Sequence, residues 1–264
     1  ERFAEQERIA RQLGDPTLIN RALAAQARVL ADRGDPETAL VLLGRQEAEC
    51  REHGDLAGLA PNLASRASVL LFEGRLDEAD AALVESIGLA RRLSAESVEA
   101  MALAQRATIA HLRGDRVGAV ALLDEQAPLL DALGDAGLRA RALGERATLA
   151  REAGDPGGAL ALHAEEEQAY AKVGDPSGVA TSISNQALAR HALGDPAGAA
   201  ALLARAEVIL RDLDLPAALQ TTVGNKAAFL LQAGDLAGAE AALAEQEAIC
   251  NRTGNNPPEY IAKR

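Results

Sequence analysis

A chain of 264 residues, 48% of them hydrophobic, is long enough to bury a core, while its formal charge of −12 argues against a phosphate backbone as partner, because binding one needs a basic surface. Five aromatic residues, Phe3, Phe72, Tyr170, Phe229 and Tyr260, leave no stacking platform for single-stranded nucleic acid. No apolar run reaches the length of a bilayer span and no signal-peptide pattern opens the chain, so the segment reads as soluble, with no membrane partner.

The first predicted element is an amphipathic helix over residues 1–13, ended by Gly14-Asp15. The Gly-Asp pair returns at 34–35, 54–55, 114–115, 134–135, 154–155, 174–175, 194–195 and 234–235, always on a ladder of twenty residues. The remaining rungs carry Gly74-Arg75, Ser94-Ala95, Asp214-Leu215 and Gly254-Asn255. Glycine after an amphipathic run supplies the left-handed turn that ends a helix, and aspartate offers an oxygen to the orphan N–H groups of the next one. Five pairs continue into Pro16, Pro36, Pro156, Pro176 and Pro196, at the helical position where a missing N–H costs nothing. The intervening stretches, roughly 16 residues and about 24 Å long as helix, are joined by turns so short that neighbours must be antiparallel.

Alternate helices differ, so the true period is forty. In the first kind alanine recurs at 27, 67, 107, 147, 187 and 227, preceded four residues earlier by Leu23, Leu63, Leu103, Leu143, Ile183 and Val223. In the second kind alanine recurs at 39, 79, 119, 159, 199 and 239. Four residues on stand Leu43, Leu83, Leu123, His163, Leu203 and Leu243, and seven further on Cys50, Ala90, Leu130, Tyr170, Leu210 and Cys250. These spacings put each set on one helix face. A methyl-sized side chain where helices cross lets their backbones approach. A repeat of this kind shares one continuous core between neighbouring units. Residues 1–14 therefore read as the second helix of a truncated preceding repeat, 15–254 as six forty-residue repeats, and 255–264 as a tail or the remnant of a further helix, the whole a piece of a longer protein.

Two prolines test the pattern. Pro128 falls well inside a predicted helix, where it should kink it or leave a carbonyl unpaired, and Pro61 is expected to delay a helix start. Cys50 and Cys250 share a column five repeats apart; with helices packed at about 8–10 Å that exceeds the roughly 7 Å limit for a disulfide. Two unpaired thiols suit a cytoplasmic location.

The glycine-aspartate pair, with alanine seven residues before the glycine and alanine five residues after it, resembles the tetratricopeptide repeat. The forty-residue form is similar to repeats in kinesin light chain, in leucine-glycine-asparagine-rich polarity adaptors and in the arms of bacterial signal-transducing ATPases. The resemblance implies an all-α solenoid of antiparallel helix hairpins, wound as a right-handed superhelix, with first helices lining a concave groove that holds a peptide or protein partner. The family's bulky aromatics are replaced here by leucine and alanine, and its usual apolar residue before the first-helix alanine by Gln26, Arg66, Arg106, Arg146, Gln186 and Lys226.

If first helices line the groove, its surface runs from Arg21, Ala25, Arg28 and Asp32 through the equivalent positions of each unit to Thr221, Asn225, Ala228 and Gln232. Asn185 and Asn225 match the position where peptide-binding relatives grip main chain; the alternative is local hydrogen bonding. The basic column Arg66, Arg106, Arg146 and Lys226 is suited to acidic partner groups, or else to an internal polar ladder with some of the carboxylates of the second helices, Glu47, Glu85, Glu125, Glu165, Glu166, Glu167, Glu207, Glu245 and Glu247. Enzymatic and metal chemistry are not expected. His53, His111, His163 and His191 have no second histidine or cysteine at i+3 or i+4, and no glycine-rich loop precedes a lysine. No cofactor is predicted. The chain reads as a non-catalytic interaction scaffold, a sensing or docking segment of a larger bacterial regulator; the alternatives are a self-assembling spacer or the accessory part of an enzyme.

Overall fold

The computed structural model describes residues 2–14 and 16–253. The expected tail at 255–264, the rung Gly254-Asn255 and the cap Asp15 lie outside the described residues. Among the described residues the chain is thirteen helices without a strand: α1 (Arg2–Leu13), α2 (Pro16–Asp32), α3 (Pro36–His53), α4 (Leu56–Phe72), α5 (Leu76–Leu93), α6 (Glu96–Leu112) and α7 (Arg116–Leu133), then α8 (Ala136–Glu152), α9 (Pro156–Val173), α10 (Pro176–Ala192), α11 (Pro196–Asp212), α12 (Pro216–Gln232) and α13 (Leu236–Thr253). They form two compact units, Glu1–Gly134 and Asp135–Arg264. Within each, consecutive helices pack on one another as the α-solenoid of hairpins requires.

The rungs do what their chemistry asks. Each described aspartate of a Gly-Asp pair caps the following helix, with Asp35 accepting from the Thr38 N–H at 3.1 Å and Asp55, Asp115, Asp155 and Asp195 from N–H groups at 2.8 Å. Asp135, Asp175 and Asp235 do the same at 2.9–3.0 Å. The acceptor reaches glycine in most cases, such as Gly118 and Gly158, where a Cβ would collide with the capping carboxylate. The rung glycines hold φ between +63° and +85°. At the two described rungs that lack glycine, Ser94 and Asp214 are driven to φ +54° and +51°, a conformation costly for side chains with a Cβ.

All twelve column alanines are at most 3% exposed, so the helices meet where the pattern placed them. Pro61 does not delay a start: α4 begins at Leu56 under its Asp55 cap and runs through the proline. α7 likewise continues through Pro128, which is exposed. No helix among the described residues is long and apolar enough to cross a membrane, and Cys50 and Cys250 are both free and buried.

Candidate functional site

Polar chemistry enters through three columns that the forty-residue period lines up. The first is the basic column. Arg66 Nη1 on α4 donates to Glu47 Oε2 on α3 at 2.9 Å, Gln26 to Glu7 at 2.8 Å, Gln186 to Glu167 at 2.6 Å, and Lys226 pairs with Glu207. Every one of these partners lies nineteen residues back. For Arg106 that slot holds Ile87, and the guanidinium turns to Asp80 at 2.7 Å, which Arg113 also reaches. Arg146 is half-buried on α8 and engaged with a neighbour. Arg66 and Arg106 thus lie in the first unit, Arg146 and Lys226 in the second.

A second column extends the ladder between successive second helices. Arg51 bridges Glu47 and Glu85, its Nη1 and Nη2 each 2.8 Å from a Glu85 oxygen. Arg211 bridges Glu207 and Glu245 in the same way. The four-residue network Arg66, Glu47, Arg51, Glu85 therefore recurs, 160 residues on, as Lys226, Glu207, Arg211, Glu245. Hydrogen bonding from Glu85, then Glu47, raises the Arg51 pKa. Hydrogen bonding from Arg51 holds the Glu85 carboxyl below its usual range, against the effect of burial.

A third column is buried and was not anticipated: Gln46, Ser86, Gln126, Glu166 and Gln246, each at most 9% exposed. Ser86 Oγ donates to the Ala60 carbonyl at 2.7 Å, Gln126 Nε2 to Ala100 at 2.9 Å and Gln246 Nε2 to Gln220 at 3.3 Å, in each case 26 residues back. In α9 this slot holds Glu166, which accepts from or shares a proton with His163 Nδ1 at 2.6 Å, both side chains all but fully buried. Polar residues seven after a core alanine were the available signal; amphipathicity alone would have turned them outward. Burial, with Asp55 adding to it, pushes the Cys50 thiol up, although Gln46 donates to it.

The face assigned to ligand binding is open. None of its residues, from Arg21 to Gln232, is buried. In the second unit α10 and α12 touch through His191, stacked on Phe229 with ring centroids 4.3 Å apart and Nε2 2.5 Å from Gln232 Oε1. Asn185 on α10 and Asn225 on α12 are half-buried there, and among the described residues neither amide has a hydrogen-bond partner. One repeat earlier than Glu145, the same column holds Gln105, whose Oε1 is buried without a partner. Among the described residues no three His, Cys, Asp or Glu side chains gather as metal ligands.

Four segments, residues 20–45, 100–125, 184–205 and 222–245, match the tetratricopeptide repeat family model. No curated protein matches the chain. Among solved structures, BtubC (BKLC) from P. vanneervenii is 18% identical with a TM-score of 0.74, over 84% of this chain and 93% of that one. A Signal Transduction ATPase with Numerous Domains from Pyrococcus horikoshii, PH0952, which has a tetratricopeptide repeat sensor, gives 0.76 at 13% identity over 94% of this chain and 38% of that one. The apo quorum sensor NprR from B. thuringiensis gives 0.66 at 13% identity over 93% of this chain and 70% of that one, and NprR is also known in complex with its cognate peptide NprX. At such identities the likeness is one of fold.

Proposed function

We propose, for a chain that carries tetratricopeptide repeats, that the open first-helix face binds an extended peptide or protein segment, gripped by Asn185 and Asn225. One observation carries the reading: two amides a full period apart, half-buried on an uncovered face, make no hydrogen bond among the described residues. A carboxamide has donors and an acceptor on one group, matching the N–H and C=O of a strand of main chain. Leaving it half-buried and unpaired is unfavourable, and a ligand's backbone removes that penalty. Thr181 and Thr221, which precede the asparagines by one turn, satisfy themselves on carbonyls at 3.0 and 3.3 Å, so on this face of α10 and α12 the amides are the polar groups left for a partner. Arg66, Arg106 and Lys226 already hold carboxylates; an acidic partner group would have to share them.

The peptide complex of the similarly folded NprR supports this reading, as does the repeat sensor of PH0952. It extends to a sensing or docking segment of a larger bacterial regulatory protein, working in the cytoplasm, where the two buried thiols stay reduced. To test it, a random phage-displayed peptide library is panned against the chain and enriched peptides are titrated by fluorescence anisotropy. Replacing both Asn185 and Asn225 with alanine should weaken them about tenfold or more, at about 1 kcal/mol per lost bond, with the unfolding midpoint unchanged. Equal affinity in the double variant would defeat the proposal. So would failure to enrich any peptide from a chain whose mass by light scattering grows with concentration, the behaviour of a self-assembling spacer.

A further inference from the structure

The ladder of caps breaks at three described rungs, before α5, α6 and α12, and only the first of them puts a cation in the gap. Arg75 stands at the cap of α5 with no side-chain cap bond, although every described Gly-Asp rung supplies a carboxylate there. A cation at a helix N-terminus also opposes the helix dipole, so this arginine serves the helix poorly on both counts. Its Nε and Nη2 reach Glu78 at 2.7 Å, and it lines an open cleft of about 430 Å³ together with Arg51, Arg66, Glu37 and Glu47. Three guanidinium groups and two carboxylates line it, and Glu78 and Glu85 pair with Arg75 and Arg51 at its edge. Among the described residues Arg66 gives a single N–H to a protein acceptor, which leaves most of its five donors unclaimed. The apolar walls are Leu40, Val41 and Ala48, with the buried Leu70 behind them.

A second departure opens the same cleft. Gly44 lies inside α3 with nothing within 4 Å of the place a Cβ would occupy, where the other second helices carry Val84, Asp124, Ala164, Ala204 and Ala244. Glycine inside a helix is unfavourable without a reason of space. The unit 160 residues on keeps the charged core, Glu207, Arg211 and Lys226, yet has Asp235 for Arg75 and Ala204 for Gly44. Two of the positions at which the first unit abandons a better helix residue thus border one cavity.

We propose that this cleft binds a small organic anion, an acid group on a compact apolar body, the acid taking N–H groups of Arg66 and Arg75 and the body resting on Leu40 and Val41. The proposal is independent of the asparagine face. Calorimetric titration of the whole chain with phenylphosphate, benzoate and inorganic phosphate tests it and separates a phosphate from a carboxylate ligand. Saturable binding of one aromatic acid, tighter than that of inorganic phosphate, is expected. Arg75→Asp should weaken it at least tenfold while raising the melting temperature, since it restores the cap; Gly44→Ala should weaken it without lowering that temperature. Absence of saturable binding, unchanged affinity in Arg75→Asp, or an equal loss in Arg211→Gln of the second unit would each overturn it.

Discussion

The helix pair α4–α5 and the pair α8–α9 share one frame and differ in what fills it. α4 buries nine residues, among them Leu59, Leu63, Val69 and Leu70, whereas α8 buries Ala140, Ala147 and Leu149 alone. The apolar cluster of the first unit runs through α4 and α5 by way of Leu63, Leu83 and Ile87; the clusters of the second unit take nothing from α8 or α9. Along the buried face of α9, His163 stands in the leucine column, Glu166 in the glutamine and serine column, and Tyr170 where α3 has Cys50 and α7 has Leu130. Gly144 makes room for this: a Cβ there would sit 2.5 Å from Glu166 Oε1. Gln186 of α10 then closes over the site, donating to the His163 carbonyl at 3.2 Å. The contrast teaches that caps and small-residue crossings hold the hairpin geometry by themselves, so that one pair can trade apolar burial for a hydrogen-bonded interior.

The sharpest way to break that comparison is to remove one half of the polar pair. Glu166→Leu should cost about 3 kcal/mol in urea unfolding, because His163 is left buried without its partner. The double change His163→Leu with Glu166→Gln, which copies α7, should return to within about 1 kcal/mol of the parent, the new amide having the Ala140 carbonyl 26 residues back as Gln126 has Ala100. If the single and double variants were equally stable, the two side chains would not be coupled. A smaller effect is expected from the native state itself. Hydrogen exchange in α8 and α9 should run about tenfold faster than in α4 and α5, about 1.4 kcal/mol in opening free energy. Equal protection in the two pairs would mean that the polar interior is as stabilising as the leucines.

Much of this was legible in the sequence. The rung chemistry placed the helix ends, the twelve alanines named the crossings, and the open face emerged from the four- and seven-residue spacings. What was illegible depended on geometry between helices. Arg106 departs from its column because Ile87 replaces the glutamate nineteen residues back, a dependence visible only once α5 and α6 are in place. The buried amides could not be assigned from amphipathicity, since what buries Gln126 is a carbonyl on another helix. Pro61 was misread because a strong Asp55 cap fixes the start of α4 one turn before the proline, overriding its tendency to begin a helix. The cleft at Arg75 needed both the broken rung and the missing Cβ of Gly44, and neither alone marks a site.

The finest test concerns the recurring salt-bridge network, which both units carry and which the frame does not need. Arg51 chelates Glu85, whose side chain is 41% exposed, and its hydrogen bonds lower the Glu85 pKa. A carboxylate with a depressed folded pKa contributes stability that is fully present above its unfolded value of about 4.3 and is lost as pH falls through the lower folded value. Solvent screening keeps that contribution to a few tenths of a kcal/mol, so the decisive measurement is site-specific. In a carbon-detected NMR titration Glu85 should protonate below the ordinary glutamate midpoint, and Arg51→Gln should bring it back, while Arg211→Gln in the other unit should leave it where it is. A Glu85 midpoint that ignored Arg51 would mean that the bridge is not populated in solution and that the hairpins stack without it.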